Sequence, residues 1–313
     1  MCLKQWPWKP HPIARSMSDI RFLQRKQIED ARWNSCIAQS YPALPYALSF
    51  YLDAVAENWG AVVAGDYETV LPLVWMSKLG VKLLYQPYYC QQLGVFGTRA
   101  KDGNTQLELL SEATKYVYVN IQLNSTSAIV ATDFKLKPRK NLLLHLQPDY
   151  STLSSKFSQN HGRNIARAQR AGYAFTEDLA LKAFEAFYLK NINRNTEHFK
   201  PKHEELFKRL MGALTTHRMS RIFAALNKEG MPVAAVFVVP FQERLCAIVN
   251  TSNTEGKKNG ASHFVFSEVI KHYTGQNLWL DFEGSSVPGI ARFYEGFGAH
   301  TETYWQLKTN WLR

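Results

Sequence analysis

The stretch LWLDFEGSSVPGIARFYEGFGA, residues 278–299, restricts the fold more than any other part of the chain. Residues 278–282 alternate apolar side chains with Asp281 and lead to Glu283, the pattern of a short strand ending in acids. Ser285 or Ser286 can cap a helix that takes Pro288 in its first turn and stops at Gly298 in the left-handed region. Inside that helix Ile290, Phe293, Tyr294 and Phe297 fall at i, i+3, i+4 and i+7, one apolar stripe. A strand over 303–308 completes the unit. A carboxylate at the strand end and a phenol on the next helix are spaced to work on opposite sides of one substrate. That suits proton shuttling, and core packing would use the same pattern.

The remaining chain sets bounds. At 313 residues it exceeds the roughly 250 residues at which single cores stop growing. We expect a disordered extension over 1–19, a first domain over 20–150, a basic helical linker over 151–171 and a second domain over 172–313. A formal charge of +11 favours anionic partners without choosing among nucleic acid, phosphorylated cofactors and acidic membrane faces. Cys2, Cys36, Cys90 and Cys246 form no CxxC pair, so neither zinc nor a disulfide framework is indicated and a reducing cytoplasm is the expected setting. No run of 18 apolar residues is present and no transmembrane helix is expected. The opening residues lack the apolar core of a signal peptide. His198 and His203 do not have HExxH spacing, so a metal site is rejected, and no GxSxG occurs.

Element order recurs. Helices are expected at 26–39 and 46–57, strands at 59–64, 69–75 and 81–86, a Tyr- and Gln-rich loop at 87–97, a helix at 106–116, and strands at 117–122, 128–132 and 140–146. Beyond the 150–171 linker come a strand at 173–176, helices at 181–189 and 204–214, and strands at 221–226, 233–239 and 245–250. A loop at 251–260 then leads to a helix at 262–273. Both halves thus read helix, helix, strand, turn, strand, strand, loop, helix, strand, which suggests a duplicated fold.

Four groups of residues offer chemistry. Gly256 and Gly260 let the loop before the 262–273 helix turn its N–H groups inward, with Lys257 and Lys258 adding charge; this is the physics of a pyrophosphate cradle, and equally of a plain turn. Asp281 and Glu283 share one strand face, and neighbouring carboxylates can raise one another's pKa toward that of a general base; the alternative is a helix cap and a surface ion pair. Arg163, Arg167 and Arg170 form a basic stripe able to follow phosphates, or a solvated face. Gln91 and Gln92 could line a substrate pocket or buttress a turn.

GIARFYEGFGAH resembles the closing motif of the GNAT acyltransferase superfamily, an FY pair shortly before GF, and the element order over 172–308 is similar to that fold. Two such units in tandem, the linker HGRNIARAQRAG and the DFEGS element resemble the FemAB-like acyltransferases, relatives of the FemABX enzymes that move amino acids from aminoacyl-tRNA to cell-wall precursors. The resemblance spans roughly residues 20–308. It implies an α/β fold of two tandem GNAT-like domains, each a mixed, mostly antiparallel sheet flanked by helices. It also implies N-acyl transfer from an acyl thioester, acetyl-CoA or another acyl-CoA, to an amine acceptor, with no metal. Tyr294 would reprotonate the leaving thiolate, Glu283 with Asp281 would deprotonate the amine, and Gly256, Gly260 and Ala261 would hold pyrophosphate, although the usual Q/RxxGxG/A spelling is absent. Aminoacyl-tRNA as donor is the alternative; there FemABX enzymes tend to carry lysine where this chain has Tyr294. A non-catalytic binding module is a third possibility. The oligomeric state stays open.

Overall fold

Strand pairing runs unbroken through the computed structural model, which describes residues 19–127, 135–192, 201–283 and 287–309. The first half comprises strands β1 (Ile20–Gln24), β2 (Asn58–Ala64), β3 (Thr69–Lys78), β4 (Val81–Tyr85), β5 (Phe96–Gly97), β6 (Tyr118–Leu123) and β7 (Lys135–His145), with helices α1 (Asp30–Ala38), α2 (Ser49–Val55) and α3 (Gly103–Ser111). Helices α4 (Tyr150–Ser154) and α5 (Gln159–Arg170) lead to β8 (Ala174–Thr176), α6 (Leu181–Asn191), α7 (Pro201–Thr216), β9 (Arg221–Leu226) and β10 (Pro232–Phe241). β11 (Arg244–Ser252), α8 (Thr254–Asn259), α9 (Ala261–Tyr273), β12 (Trp279–Asp281), α10 (Pro288–Glu295) and β13 (His300–Lys308) follow.

The strands form one sheet in the order β1-β2-β3-β4-β6-β13-β7-β12-β11-β10-β9-β8, with β5 on β3. Each half repeats one pattern: an antiparallel pair, β3·β4 or β10·β11, followed by a parallel pair, β4·β6 or β11·β12. This is the tandem GNAT-like architecture implied by the resemblance. The halves are interlocked. The last strand, β13, pairs with β6 of the first half (Trp305↔Leu123) along one edge and with β7 along the other, while the end of β7 pairs with β12 (Leu143↔Asp281).

One core lies on the face shared by the halves, where Trp33, Tyr46 and Tyr51 pack with Phe184, Phe207 and Phe237. The opposite face of the second half buries Phe223, Val236, Phe266, Phe282 and Phe297 under α9 and α10. A third cluster, including Leu71, Leu84, Leu109 and Leu307, sits beneath α3.

The helical linker is broken into two helices because each has its own cap: Asp149 Oδ1 accepts from Thr152 N–H at 2.9 Å, and Ser158 Oγ from His161 N–H at 3.3 Å. The expected loop at 251–260 is largely ordered structure. β11 reaches Ser252, Asn253 caps α8 by accepting from Gly256 N–H at 2.7 Å, and Gly260 ends it with φ 76°. The expected strand at 128–132, His198, Ser285 and Ser286 lie outside the described residues. α10 has Pro288 in its first turn as expected, and Gly298 has φ 80°. Of the expected stripe, Tyr294 and Phe297 are buried and Phe293 is partly buried, whereas Ile290 is exposed.

Candidate active site

The site grows from a fork in the second half of the sheet. β11 and β12 run parallel for three residue pairs, from Arg244↔Trp279 to Cys246↔Asp281, and then part. β11 continues to Ser252, whereas the chain beyond Asp281 turns away toward α10. An extra residue sits in β11 at the same level: Phe237 faces Val249 and Val238 faces Ala247, so Ile248 has no partner in the register. Such a bulge turns backbone groups off the ladder and bends the strand.

Glu283 enters this region from the end of β12. Its backbone has φ 54°, a conformation that a residue with a Cβ adopts at a cost of about 1–3 kcal/mol. The Glu283 N–H donates to Asp281 Oδ1 at 2.8 Å, which ties down that turn. Asp281 itself is fully buried, and its other oxygen accepts from Arg244 Nη1 at 2.7 Å and Asn141 Nδ2 at 3.2 Å. Arg244 also donates through Nη2 to Glu302 Oε1 at 2.9 Å. Burial pushes the Asp281 carboxyl up while Arg244 draws it down. The two acids thus differ in surroundings: Asp281 is held in a buried clamp, and Glu283 keeps part of its surface exposed.

The Glu283 carboxyl is pushed up to about 8, chiefly by burial; a hydrogen bond from Tyr46 lowers it and the Asp281 charge raises it. Tyr46 OH donates to Glu283 Oε1 at 2.5 Å across a sequence separation of 237 residues. Tyr294, on α10, is buried with its ring stacked on Phe282 at 4.8 Å. Its oxygen accepts from Asn250 Nδ2 of β11 at 2.5 Å, which leaves the phenolic proton unspent in that bond. Burial raises the phenol well above its ordinary value, so it stays protonated at neutral pH. The fork therefore presents a carboxyl able to take a proton near neutrality and a phenol able to give one.

The glycine loop is packed rather than open. A Cβ on Gly256 would lie 2.1 Å from the Val233 carbonyl oxygen, and one on Gly260 would lie 2.6 Å from that of Asn164. The missing side chains let α8 sit on β10 and α5 sit on the start of α9. Ala261 is fully buried there. The Cα faces of Gly256 and Gly260 are therefore packed against β10 and α5. Around them, Lys257 and Lys258 are exposed, as are Arg163, Arg167 and Arg170 on the outer face of α5. Arg167 bonds the Lys258 carbonyl oxygen at 3.2 Å, which links the arginine stripe to the loop. The inner face of α5 buries His161, Ile165 and Ala168.

Gln91 and Gln92 reach the clamp, not Glu283. Gln92 donates to Gln91 at 2.7 Å, and Gln91 donates to Asn141 Oδ1 at 3.1 Å. Near the clamp, a cavity of about 390 Å³ opens at the seam between the halves, lined among others by Tyr41, Pro42, Glu243, Arg244, Trp279 and Glu302. Among the described residues no cluster of three or more metal-ligating side chains occurs, and no helix is long and apolar enough to cross a membrane.

Tyr46, Asn250, Arg244, Asn141 and Glu302 were not legible as site residues. Tyr46 follows a Pro at the start of a helical pattern, and no local spacing ties it to an acid so far along the chain.

Comparison with known proteins agrees with this architecture. Residues 155–292 match the Acetyltransferase (GNAT) domain family. No curated protein matches the sequence. Among solved structures, FemX superposes with a TM-score of 0.64 at 11% identity, covering 89% of this chain and 96% of its own. A conserved protein of unknown function from Bacteroides thetaiotaomicron gives 0.58 at 15% identity, covering 83% and 88%. L-PGS from Bacillus licheniformis gives 0.56 at 12% identity, covering 89% and 91%. At these identities the likeness is one of fold. Residues 155–292, somewhat less than half of the chain, are thus similar to a GNAT-type acetyltransferase domain, and the fold of the whole chain is similar to that of FemX.

Proposed function

We propose that this protein is a cytoplasmic N-acyltransferase that moves an acyl group from an activated donor to an amine at the β11–β12 fork. The observation that carries this reading is the pairing, in one fork, of a Glu283 carboxyl raised to about 8 with a buried, protonated Tyr294. The amine nitrogen attacks the acyl carbon, and its proton passes to Glu283 directly or through water. As the tetrahedral species collapses, the bond to the departing heteroatom breaks and Tyr294 supplies the proton that neutralises it. Asp281 acts through its hold on the Glu283 backbone. The seam cavity, where Glu243 and Glu302 face a single Arg244, suits the approach of a cationic acceptor.

The donor we favour is an acyl thioester, acetyl-CoA or another acyl-CoA, on the strength of the domain match. Lys257, Lys258, Arg163 and Arg167 are exposed basic groups available to its phosphates. That same exposed basic face favours a second reading in which the donor is an aminoacyl-tRNA. It predicts tRNA binding that weakens steeply with salt.

The test is transfer from acetyl-CoA, and separately from charged tRNA, to a panel of primary amines. Product formed by the native protein and lost in Glu283→Gln supports the proposal. Silence with both donors sinks it and favours a binding module with the fold but not the chemistry, whereas product that survives Glu283→Gln removes Glu283 as the base.

A further inference from the structure

Among the hydrogen bonds that join the halves, Tyr46 OH donates to the Glu283 carboxyl itself, at Oε1. We infer that Tyr46 is a positioning residue for the site, so that the first half completes the acid–base machinery of the second. This rests on the base role given to Glu283 above.

Tyr46 is held from several sides. Its ring is fully buried and meets Tyr51 edge-on at 5.7 Å. Tyr51 in turn donates to the Tyr89 carbonyl oxygen. Trp33 Nε1 donates to the Ala47 carbonyl oxygen at 2.7 Å, and Asn34 Oδ1 accepts from Ser49 N–H at 2.9 Å, so the backbone on the C-terminal side of Tyr46 is fixed to α1. A hydroxyl on so rigid a mount selects one orientation of the Glu283 carboxyl. With Oε1 engaged, Oε2 is the oxygen left to take a proton.

The same bond acts on charge. A hydrogen bond to a carboxylate favours its ionised form, and it counters the burial that opposes ionisation here. The other titratable groups whose charge Glu283 senses or influences are Asp281 on β12, Cys246 on β11, Tyr51 on α2, Cys90 in the first-half loop, Tyr294 on α10 and Tyr304 on β13. The thiols and phenols among them are raised by their own burial and stay neutral near pH 8, and Asp281, ion-paired with Arg244, is the remaining charge and raises Glu283. Tyr46 is thus the hydrogen-bond donor from the first half acting on the Glu283 carboxylate. Losing one such bond is expected to raise the Glu283 titration by about one pH unit.

The experiment follows the Glu283 carboxyl carbon by NMR in full-length protein labelled at glutamate, with Glu283→Gln giving the assignment. In wild type it should titrate near pH 8. In Tyr46→Phe, which keeps the ring and loses the hydroxyl, it should titrate about one unit higher. An unchanged or lower midpoint in Tyr46→Phe overturns the inference. Tyr51→Phe is the packing control: it perturbs the same ring pair and leaves the Tyr46 hydroxyl, so its midpoint should stay at the wild-type value, and an upward shift of about one unit there would overturn the assignment. Acyl transfer is scored separately. A shifted midpoint without transfer condemns the proposed function and keeps the coupling between halves; transfer with no shift does the reverse.

Discussion

The two halves of the sheet contain the same fork, and only one of them stays open. In the first half β4 and β6 run parallel from Leu83↔Tyr118 to Tyr85↔Asn120. Gln86 then stitches the gap: its Oε1 accepts from Gln122 N–H at 2.8 Å and its Nε2 donates to the Cys90 carbonyl oxygen at 2.7 Å. The chain returns at once, with Leu93 N–H donating to the Gln122 carbonyl oxygen at 2.9 Å and Leu93 bridging Leu123. In the second half the strands part after Cys246 and Asp281, and among the described residues no bridge rejoins them. A carboxyl and a phenol occupy the opening instead. Equivalent backbones therefore form a seam stitched by side chains or an opening that holds a carboxyl and a phenol, which is why fold alone does not assign function.

The sharpest way to break this contrast is Glu283→Gln. Turnover should fall by about 10²–10⁴-fold, the usual worth of a general base, measured as product formed from acyl donor and amine. In wild type kcat/KM should rise with pH and level off above about 8, as Glu283 loses its proton. Stability should run the opposite way. Between the ordinary carboxyl value of 4.5 and about 8 the folded state keeps a proton that the unfolded chain has lost. Stability is then fully supported below 4.5, declines as pH rises, and has lost this contribution above about 8. Glu283→Gln removes that slope, so its Tm advantage over wild type should widen from pH 5 to pH 9.

Tyr294→Phe comes next, with a loss near the lower end of the same range, about 10²-fold, and an unchanged fold by circular dichroism. Equal turnover in Tyr294→Phe would remove the phenol from the comparison. Arg244→Ala leaves the buried Asp281 without its cation and should cost about 3–5 kcal/mol in denaturant unfolding. Because Asp281 holds the Glu283 turn, turnover should drop in the protein that remains folded. Gln86→Ala tests the closed fork. It leaves the Gln122 N–H and the Cys90 carbonyl without that partner and should cost about 1–3 kcal/mol with turnover per folded molecule intact. A fall in turnover beyond that in folded protein would mean that the first fork also serves the reaction.

Much of the scaffold was legible because its signals are local. Pro288 opens α10 as expected, although the helix ends at Glu295, short of the left-handed Gly298, and the spacing of Phe293, Tyr294 and Phe297 put the phenol on the packed face. The repeated order of strands and helices was readable for the same reason. Where competing local chemistry was overlooked, the boundaries moved: Asn253 capped a helix in what read as a loop, and Ser158 broke a continuous linker helix in two. The two acids looked alike in sequence, one residue apart from Phe282. Their surroundings differ because Arg244, Asn141 and Tyr46 arrive from other strands and from the other half.

By itself the sequence determined where the chain turns, which stripes are apolar, and that an acid and a tyrosine stand at the ends of neighbouring elements. These follow from backbone sterics, capping and periodicity, which act over a few residues. Only the tertiary structure decided that Asp281 is clamped while Glu283 remains partly exposed, that α5 covers the glycine loop, and that the first fork is stitched shut. Each of those depends on burial and on partners brought from far along the chain. Desolvation and hydrogen bonding are properties of a packed neighbourhood, and no stretch of sequence carries that neighbourhood with it.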